Sequence, residues 1–190
     1  MSEPHFLPRM LPPVPMTVAA PLNSGYQCQT SIGYFPDRKD IVPNNPPPNS
    51  YWFLAINRYT LNADYNVVQT SNDDKPAGID KFDSTDYMLV VASYALNTDN
   101  LPQGPLHEFL IDNGAGRQLR RLEQVSNALS CGELSRMAYA LVGLLGPGPS
   151  TIPGIEFSTV VQADVNGAIL TCTLIATEIA GKVIYTPTMQ

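Results

Sequence analysis

Residue types that could support catalysis are present in this chain, but their spacing matches no catalytic or metal-binding motif. The chain has two histidines, His5 and His107, and three cysteines, Cys28, Cys131 and Cys172. Two histidines are too few for a histidine-rich metal centre, and the cysteines lack the paired spacing of zinc sites. Cys131 would need a base beside it to act as a nucleophile, and the sequence does not place His107 there. We therefore interpret Cys131 as a packing residue and expect no enzyme, metal or cofactor.

Acidic residues concentrate in the polar segment 71–84 and just after it. The five aspartates are Asp73, Asp74, Asp80, Asp83 and Asp86. Their oxygen atoms could bind calcium, but the spacing lacks the EF-hand order of acids, glycine and terminal glutamate. We interpret this segment as a solvated surface loop.

The run from Asn113 to Gly116 precedes a predicted helix, where backbone N–H groups can hold an anion. A phosphate-binding loop would continue into Lys-Ser or Lys-Thr and would follow a strand. Here Arg117 follows, and the preceding segment has a helical pattern. A corner between two helices explains these glycines without a ligand.

Six residues are candidates for ligand binding. Arg117, Arg120 and Arg121 form a basic patch at helical spacing, which could recognise a carboxylate or phosphate. The alternative is a solvated helix face whose arginines pair with nearby acids. The other three candidates are aromatic, and they would contact a ligand if they lined an open groove: Trp52, Tyr94 and Tyr139.

Composition limits the class of partner. The 190 residues are 44% hydrophobic and 15% charged, with a formal net charge of −6. This charge argues against nucleic acid and anionic membranes, which attract lysine and arginine. A polar or neutral ligand, either a glycan or a protein, fits better.

The amino-terminal residues lack the uninterrupted apolar core of a signal peptide, and no later run reaches the ~18 apolar residues of a membrane span. We expect a soluble protein that is cytoplasmic or exported without a classical signal peptide. With three cysteines, at most one internal disulfide can form, and free buried thiols are the favoured interpretation.

Two helices are predicted in the middle of the chain. The first begins at Pro105 and ends at Asn113-Gly114, with three apolar residues on one face: Leu106, Phe109 and Leu110. The second covers residues 115–129, where leucines recur at helical spacing, and we predict that Leu122 is buried. Strands are predicted at residues 51–57, 65–70, 87–92, 139–145, 155–161, 168–177 and 182–186, and Ala180-Gly181 is predicted to join the last two.

Proline dominates residues 1–50, where it interrupts helices and removes hydrogen-bond donors from strands. We predict an extended arm and connector over 1–50, with a short edge strand at 16–19 and another strand at 27–35. A polyproline ligand for a partner's aromatic groove is the alternative. The remainder, 51–190, is predicted to be one α+β domain with a β-sheet core, in two packed sheets, two helices and a β-rich tail.

The runs YMLVVASYAL, LRRLEQV and SRMAYALVGLLGPG, with a Cys-Gly turn between the last two, resemble the interleukin-like epithelial-to-mesenchymal-transition inducer domain. The resemblance covers residues 87–148. It implies a compact α+β domain that binds ligands, sugars in some relatives, without catalysis. The chain departs from that family in its non-secretory start, its lack of a disulfide framework and its strand-rich tail.

These observations predict a non-catalytic binding or interaction module for carbohydrate or protein. The alternative is a structural subunit of a larger assembly, including a homo-oligomer, that docks through the proline arm and the β-rich tail.

Overall fold

The computed structural model describes residues 11–128, 136–160 and 165–189. These residues form two five-stranded antiparallel sheets and two α-helices, which confirms the predicted α+β class. Sheet A has the order β10-β9-β1-β2-β3, and its strands are β1 (Val14–Pro21), β2 (Gln29–Ile32), β3 (Lys39–Ile41), β9 (Gly167–Ile179) and β10 (Lys182–Thr188). Sheet B has the order β5-β4-β6-β7-β8, and its strands are β4 (Ser50–Asn57), β5 (Ala63–Gln69), β6 (Tyr87–Tyr94), β7 (Met137–Leu144) and β8 (Ile155–Val160). The helices are α1 (Gly104–Asp112) and α2 (Arg117–Ala128).

Sheet B is the middle layer, with sheet A on one face and the helices on the other. Side chains of a strand alternate between the two faces of its sheet. In β4, Trp52 and Leu54 accordingly pack towards sheet A, while Tyr51 and Phe53 pack towards the helices. Burial on both faces explains why β4, β6 and β7 have nearly continuous apolar sequences.

Both predicted helices are confirmed. Pro105 lies in the first turn of α1, where its missing N–H costs no helical hydrogen bond. Gly114, with φ near 100°, follows the end of α1 in the left-handed conformation. Leu110 of α1 and Leu122 of α2 are buried against sheet B, as their spacing predicted.

Glycine allows the corner between α1 and α2 to lie directly on sheet B. A Cβ atom at Gly143 of β7 would overlap the carbonyl oxygen of Asn113. Gly154 donates its N–H to the carbonyl of Gly114 at 2.9 Å, and a Cβ atom at either glycine would crowd the other. Three glycines therefore set how closely the helical layer approaches β7 and the loop before β8.

The amino-terminal part of the chain differs from the predicted arm, because residues 14–41 supply three strands of sheet A. The prediction of an edge strand at 16–19 is wrong, since β1 lies between β2 and β9. The two prolines of β1, Pro15 and Pro21, are tolerated because they stand near the ends of the strand and their carbonyls still accept hydrogen bonds. Gly33 donates to the Pro15 carbonyl at 2.9 Å, and Ala95 donates to the Pro21 carbonyl at 3.0 Å.

The predicted carboxy-terminal hairpin is present. Ala180 and Gly181 both have positive φ, as a two-residue turn between β9 and β10 requires. No helix of the described residues combines the length and apolar character needed to span a membrane.

A buried arginine joins the two sheets at one end. Arg58, which follows β4, donates to the carbonyl of Tyr185 at 2.8 Å, the hydroxyl of Thr186 at 2.7 Å and the carbonyl of Thr85 at 2.6 Å. Burial lowers the pKa of this guanidinium from its ordinary value. Arg58 thus ties β10 of sheet A to the end of β4 in sheet B.

Candidate binding surface

The three aromatic candidates lie inside the protein. Trp52 and Tyr139 are 0% and 1% exposed, and Tyr94 is 7% exposed. The indole N–H of Trp52 donates to Asn66 at 2.7 Å, and the hydroxyl of Tyr94 donates to the carbonyl of Ser24 at 2.8 Å. Their rings are covered by the protein itself and line no open groove, so this geometry gives no support to their predicted contact with a ligand.

The three basic candidates, in contrast, lie together at the surface. Arg117, Arg120 and Arg121 are all exposed, on the side of α2 opposite its buried residues Leu119 and Leu122. The ion pairs among the described residues are Arg38 with Asp40, Lys75 with Asp80, and His107 with Glu123. The face is solvated, as the alternative interpretation predicted, but its arginines form no ion pair with an acid of the described residues.

The amino terminus of α2 is capped by a carboxylate of the protein itself. Glu156 of β8 accepts the backbone N–H of Gln118 at 3.1 Å, and its other oxygen accepts the hydroxyl of Tyr139 at 2.6 Å. Ser158, also in β8, donates to the side-chain oxygen of Gln118 at 2.8 Å. Burial raises the pKa of Tyr139 well above its ordinary value, and the charge of Glu156 adds to this effect. A phosphate bound by the Asn113–Gly116 run would therefore lie beside the carboxylate of Glu156.

β8 is the outermost strand of sheet B on this side and lies beside α2. Phe157, in the middle of β8, is 44% exposed, although it is a large apolar residue. We define the α2–β8 surface as Arg117, Arg120, Arg121, Phe157 and the outer backbone edge of β8. It combines positive charge, an apolar side chain and strand hydrogen-bonding groups.

The aspartates of the acidic segment make contacts within the protein, and the backbone of Asp73 accepts the N–H of Leu106 in α1 at 3.0 Å. Ser71 donates to Asp74 at 2.8 Å, Lys75 forms an ion pair with Asp80, and Tyr59 donates to Asp86 at 3.0 Å. Within the described ranges, no three histidine, cysteine, aspartate or glutamate side chains are grouped so that they could hold a metal ion.

Of the cysteine and histidine considered for catalysis, Cys131 lies outside the described residues, and His107 lies on α1. The Nε2 atom of His107 lies 2.9 Å from the carboxylate of Glu123 on α2. Cys28 and Cys172 are free and buried between the sheets, and burial raises the pKa of each thiol to about 12. Thiols of this kind are protonated at neutral pH and are poor nucleophiles.

An open cleft of about 460 Å³ lies at the loop before β8. The loop, residues 146–152, forms one side, and Thr85 and the end of β7 contribute to the other. Its lining contains no titratable side chain. Sequence analysis did not identify this cleft, because it depends on where the α1–α2 corner holds the loop: Ser150 donates its N–H to the carbonyl of Asp112 at 2.6 Å.

Of these features, only the α2–β8 surface joins predicted candidate residues with an exposed apolar group and unpaired backbone. The cleft has apolar walls but no charged group, and the aromatic candidates are internal. Comparison of the chain with protein-family models, with curated proteins and with solved structures finds no match.

Proposed function

We propose that this protein is a non-catalytic binding module that recognises an acidic segment of another protein through the α2–β8 surface. The observation that carries the proposal is the exposed face of α2, where three arginines stand together without an ion pair to any described residue. The chain as a whole is acidic, with a net charge of −6. A local basic face on an acidic protein favours a negatively charged partner.

Arginine suits this role physically. Its planar guanidinium can donate two parallel hydrogen bonds to one carboxylate, and such charge-assisted bonds are stronger than neutral ones. Arg117, Arg120 and Arg121 repel one another when no anion is present. A partner's carboxylates would relieve this repulsion, so binding gains from both effects.

Carbohydrate binding is the second candidate, and a different observation favours it. Tyr34 and Phe35, in the loop between β2 and β3, are 62% and 89% exposed. Exposed aromatic rings present an apolar face and, in tyrosine, a polar hydroxyl, which suits recognition. The rings predicted for such contacts are buried, so any sugar site would have to use this loop instead.

The resemblance of residues 87–148 to the interleukin-like inducer domain supports the same class of function, since it implies ligand binding without catalysis. A structural subunit that docks through its amino-terminal arm and tail has less support. β1, which would have to dock onto neighbours, already pairs with both β2 and β9 within the domain, so that of β1 and β10 only β10 lies at an edge of sheet A.

Affinity enrichment from a cell extract tests the proposal, with wild type compared with the triple variant Arg117→Glu, Arg120→Glu, Arg121→Glu. A matched control is Lys182→Glu, which reverses an exposed charge at the start of β10. We expect acidic proteins that bind wild type and Lys182→Glu but not the triple variant, with binding that weakens as salt rises. Recovery of the same proteins with the triple variant would reject α2 as the binding surface. A glycan array that binds wild type and loses binding in Phe35→Ala would instead favour the carbohydrate function.

A further inference from the structure

The direction of the β8 backbone groups follows from hydrogen bonds made by β7. Met137 donates its N–H to the carbonyl of Leu96 at 2.7 Å, and Tyr139 donates its N–H to the Ser93 hydroxyl at 2.8 Å. Both acceptors lie on the β6 side of β7. In an antiparallel strand, the backbone groups of successive residues point alternately to the two neighbours. Ala138, which lies between these two donors, and every second residue after it therefore direct their backbone groups to β8.

This alternation assigns the free groups of β8. Ala138 and Ala140 of β7 stand opposite Thr159 and Phe157 of β8, so these two β8 residues direct their N–H and C=O groups to β7. Ile155, opposite Val142, does the same, and the other three residues direct theirs away from the sheet: Glu156, Ser158 and Val160. No other strand of the described residues pairs with this edge. β8 therefore offers an edge of hydrogen-bonding groups with no partner strand among the described residues, although the Val160 carbonyl accepts the Thr159 hydroxyl at 3.3 Å.

The side chains around that edge differ between its two faces. On one face, Ser158 contacts Gln118 in the first turn of α2. Arg121 is one helical turn beyond Gln118 and lies on the same side of α2, and Arg117 is the exposed first residue of the helix. On the other face, the half-exposed ring of Phe157 projects from β8. Arginines therefore stand on one side of the edge, beside the carboxylate of Glu156, whose two oxygens already accept hydrogen bonds from Tyr139 and Gln118, and the other side is apolar.

We infer that an extended acidic segment of a partner protein adds to β8 as an antiparallel sixth strand of sheet B. Its acidic side chains occupy alternate positions and reach Arg117 and Arg121, while the apolar side chains between them pack beside Phe157. Strand addition of this kind obtains affinity from main-chain hydrogen bonds and specificity from alternate side chains. The inference rests on the proposed function and adds to it the conformation and residue pattern of the partner.

A second copy of this chain fits the edge poorly. Antiparallel pairing of β8 with its symmetry mate would place the two α2 helices on the same face of the joined sheet. The arginine faces of both copies would then lie beside each other, and like charges at close range oppose association. Charge complementarity thus favours an acidic strand from a different protein.

Synthetic peptides of about nine residues, with alternating valine and glutamate, test this arrangement by fluorescence anisotropy with the full chain. In antiparallel pairing, residues directly opposite each other lie on the same face of the sheet. Glutamates on the arginine face therefore stand opposite the outward-directed β8 residues, and their backbone groups form hydrogen bonds with the backbone of those residues. We expect N-methylation of the glutamate amides to abolish binding and N-methylation of the valine amides to be tolerated. Equal binding of both methylated peptides, or no saturable binding of the unmethylated peptide, would overturn the inference.

Protein variants complete the test. The double variant Arg117→Glu, Arg121→Glu should weaken peptide binding by about tenfold or more, and Lys182→Glu should leave it unchanged. Circular dichroism confirms folding of each variant, since both arginines are exposed. If binding depends on the arginines but both methylated peptides bind equally, the proposed function stands and strand addition fails. If peptide binding ignores the arginines, both fail.

Discussion

The hydroxyl of Tyr139 donates a 2.6 Å hydrogen bond to the carboxylate of Glu156, across the adjacent strands β7 and β8. The same carboxylate accepts the backbone N–H of Gln118 at 3.1 Å, so one side chain joins the sheet to the first turn of α2. An anion at a helix amino terminus is stabilised by the unpaired N–H groups there. This contact holds α2, and with it the arginine face, in a fixed position along β8.

Replacing Glu156 with glutamine should lower the free energy of unfolding by about 1 to 3 kcal/mol, because an amide has only one acceptor oxygen for two donors. The variant leaves either the Tyr139 hydroxyl or the Gln118 N–H without its acceptor. Urea denaturation measures the change. Glu178→Gln, at an exposed position of β9, is the matched control and should stay within about 0.5 kcal/mol of wild type. Equal stability of both variants would show that the Glu156 contacts contribute nothing.

Part of this site could have been predicted from the sequence. The alternation of leucines and arginines located α2 and its exposed face correctly, because a helical period depends only on local spacing. The three residues before Arg117 are Gly114, Ala115 and Gly116, none of which has a side chain that could accept a hydrogen bond, so α2 lacks a local side-chain cap. That absence signals an acceptor from elsewhere in the fold. The identity of the acceptor, Glu156, depends on the pairing of β7 with β8 and could not be read from local pattern.

Gly143→Ala should be strongly destabilising, by about 2 kcal/mol or more, because the new methyl group would overlap the Asn113 carbonyl and push the helical corner away from β7. Gly25→Ala is the matched control. Nothing lies within 4 Å of a Cβ atom at Gly25, which is outside the helices and strands, and its backbone needs no positive φ. That change should be neutral or stabilising, since it restricts the unfolded chain. Thermal unfolding gives the melting temperature of each variant. An unchanged melting temperature for Gly143→Ala would show that close backbone contact does not hold the helical corner against β7.

Leu122→Asp should be among the most damaging single substitutions, because Leu122 is 1% exposed between α2 and sheet B. The change removes about 1.5 to 3 kcal/mol of apolar burial and adds the cost of burying a carboxylate. We expect a large fall in melting temperature or loss of folding. Gln124→Asp, two residues away and exposed, should change it little. An unaltered melting temperature for Leu122→Asp would contradict the packing of α2 on the sheet.

The amino-terminal strands show where sequence reasoning was insufficient. Proline density in the amino-terminal part of the chain correctly indicated that the described residues 11–50 contain no helix, but it obscured the alternation of Met16, Val18 and Ala20. In sheet A, β1 lies between β2 and β9, and its pairing with β9 joins two distant parts of the chain. Proline content reports only local backbone preferences, so it could not place β1 in the centre of the sheet.

Cys28 and Cys172 should resist alkylation by iodoacetamide in the folded protein at about pH 8, because protonated buried thiols are unreactive. Both have pKa values raised to about 12 by burial. Peptide mapping by mass spectrometry follows each cysteine separately, and modification in urea provides the fast reference. Modification of Cys28 at equal rates with and without urea would contradict its position between the sheets.

Stability should fall as pH rises from about 9 to 12. The pKa values of the Cys28 and Cys172 thiols are raised from 9.0 to about 12, and that of Tyr65 is raised from 10.0 to about 12, in each case mainly by burial. Above pH 9 the unfolded chain releases protons that the folded protein retains, so the unfolded state gains stability relative to the folded state. The stabilisation is complete below pH 9 and is lost towards pH 12. Melting temperatures at about pH 8 and pH 10.5 measure this effect, and Cys172→Ala should reduce the pH dependence by removing one titrating group. Identical melting temperatures at the two pH values would contradict the burial of these groups.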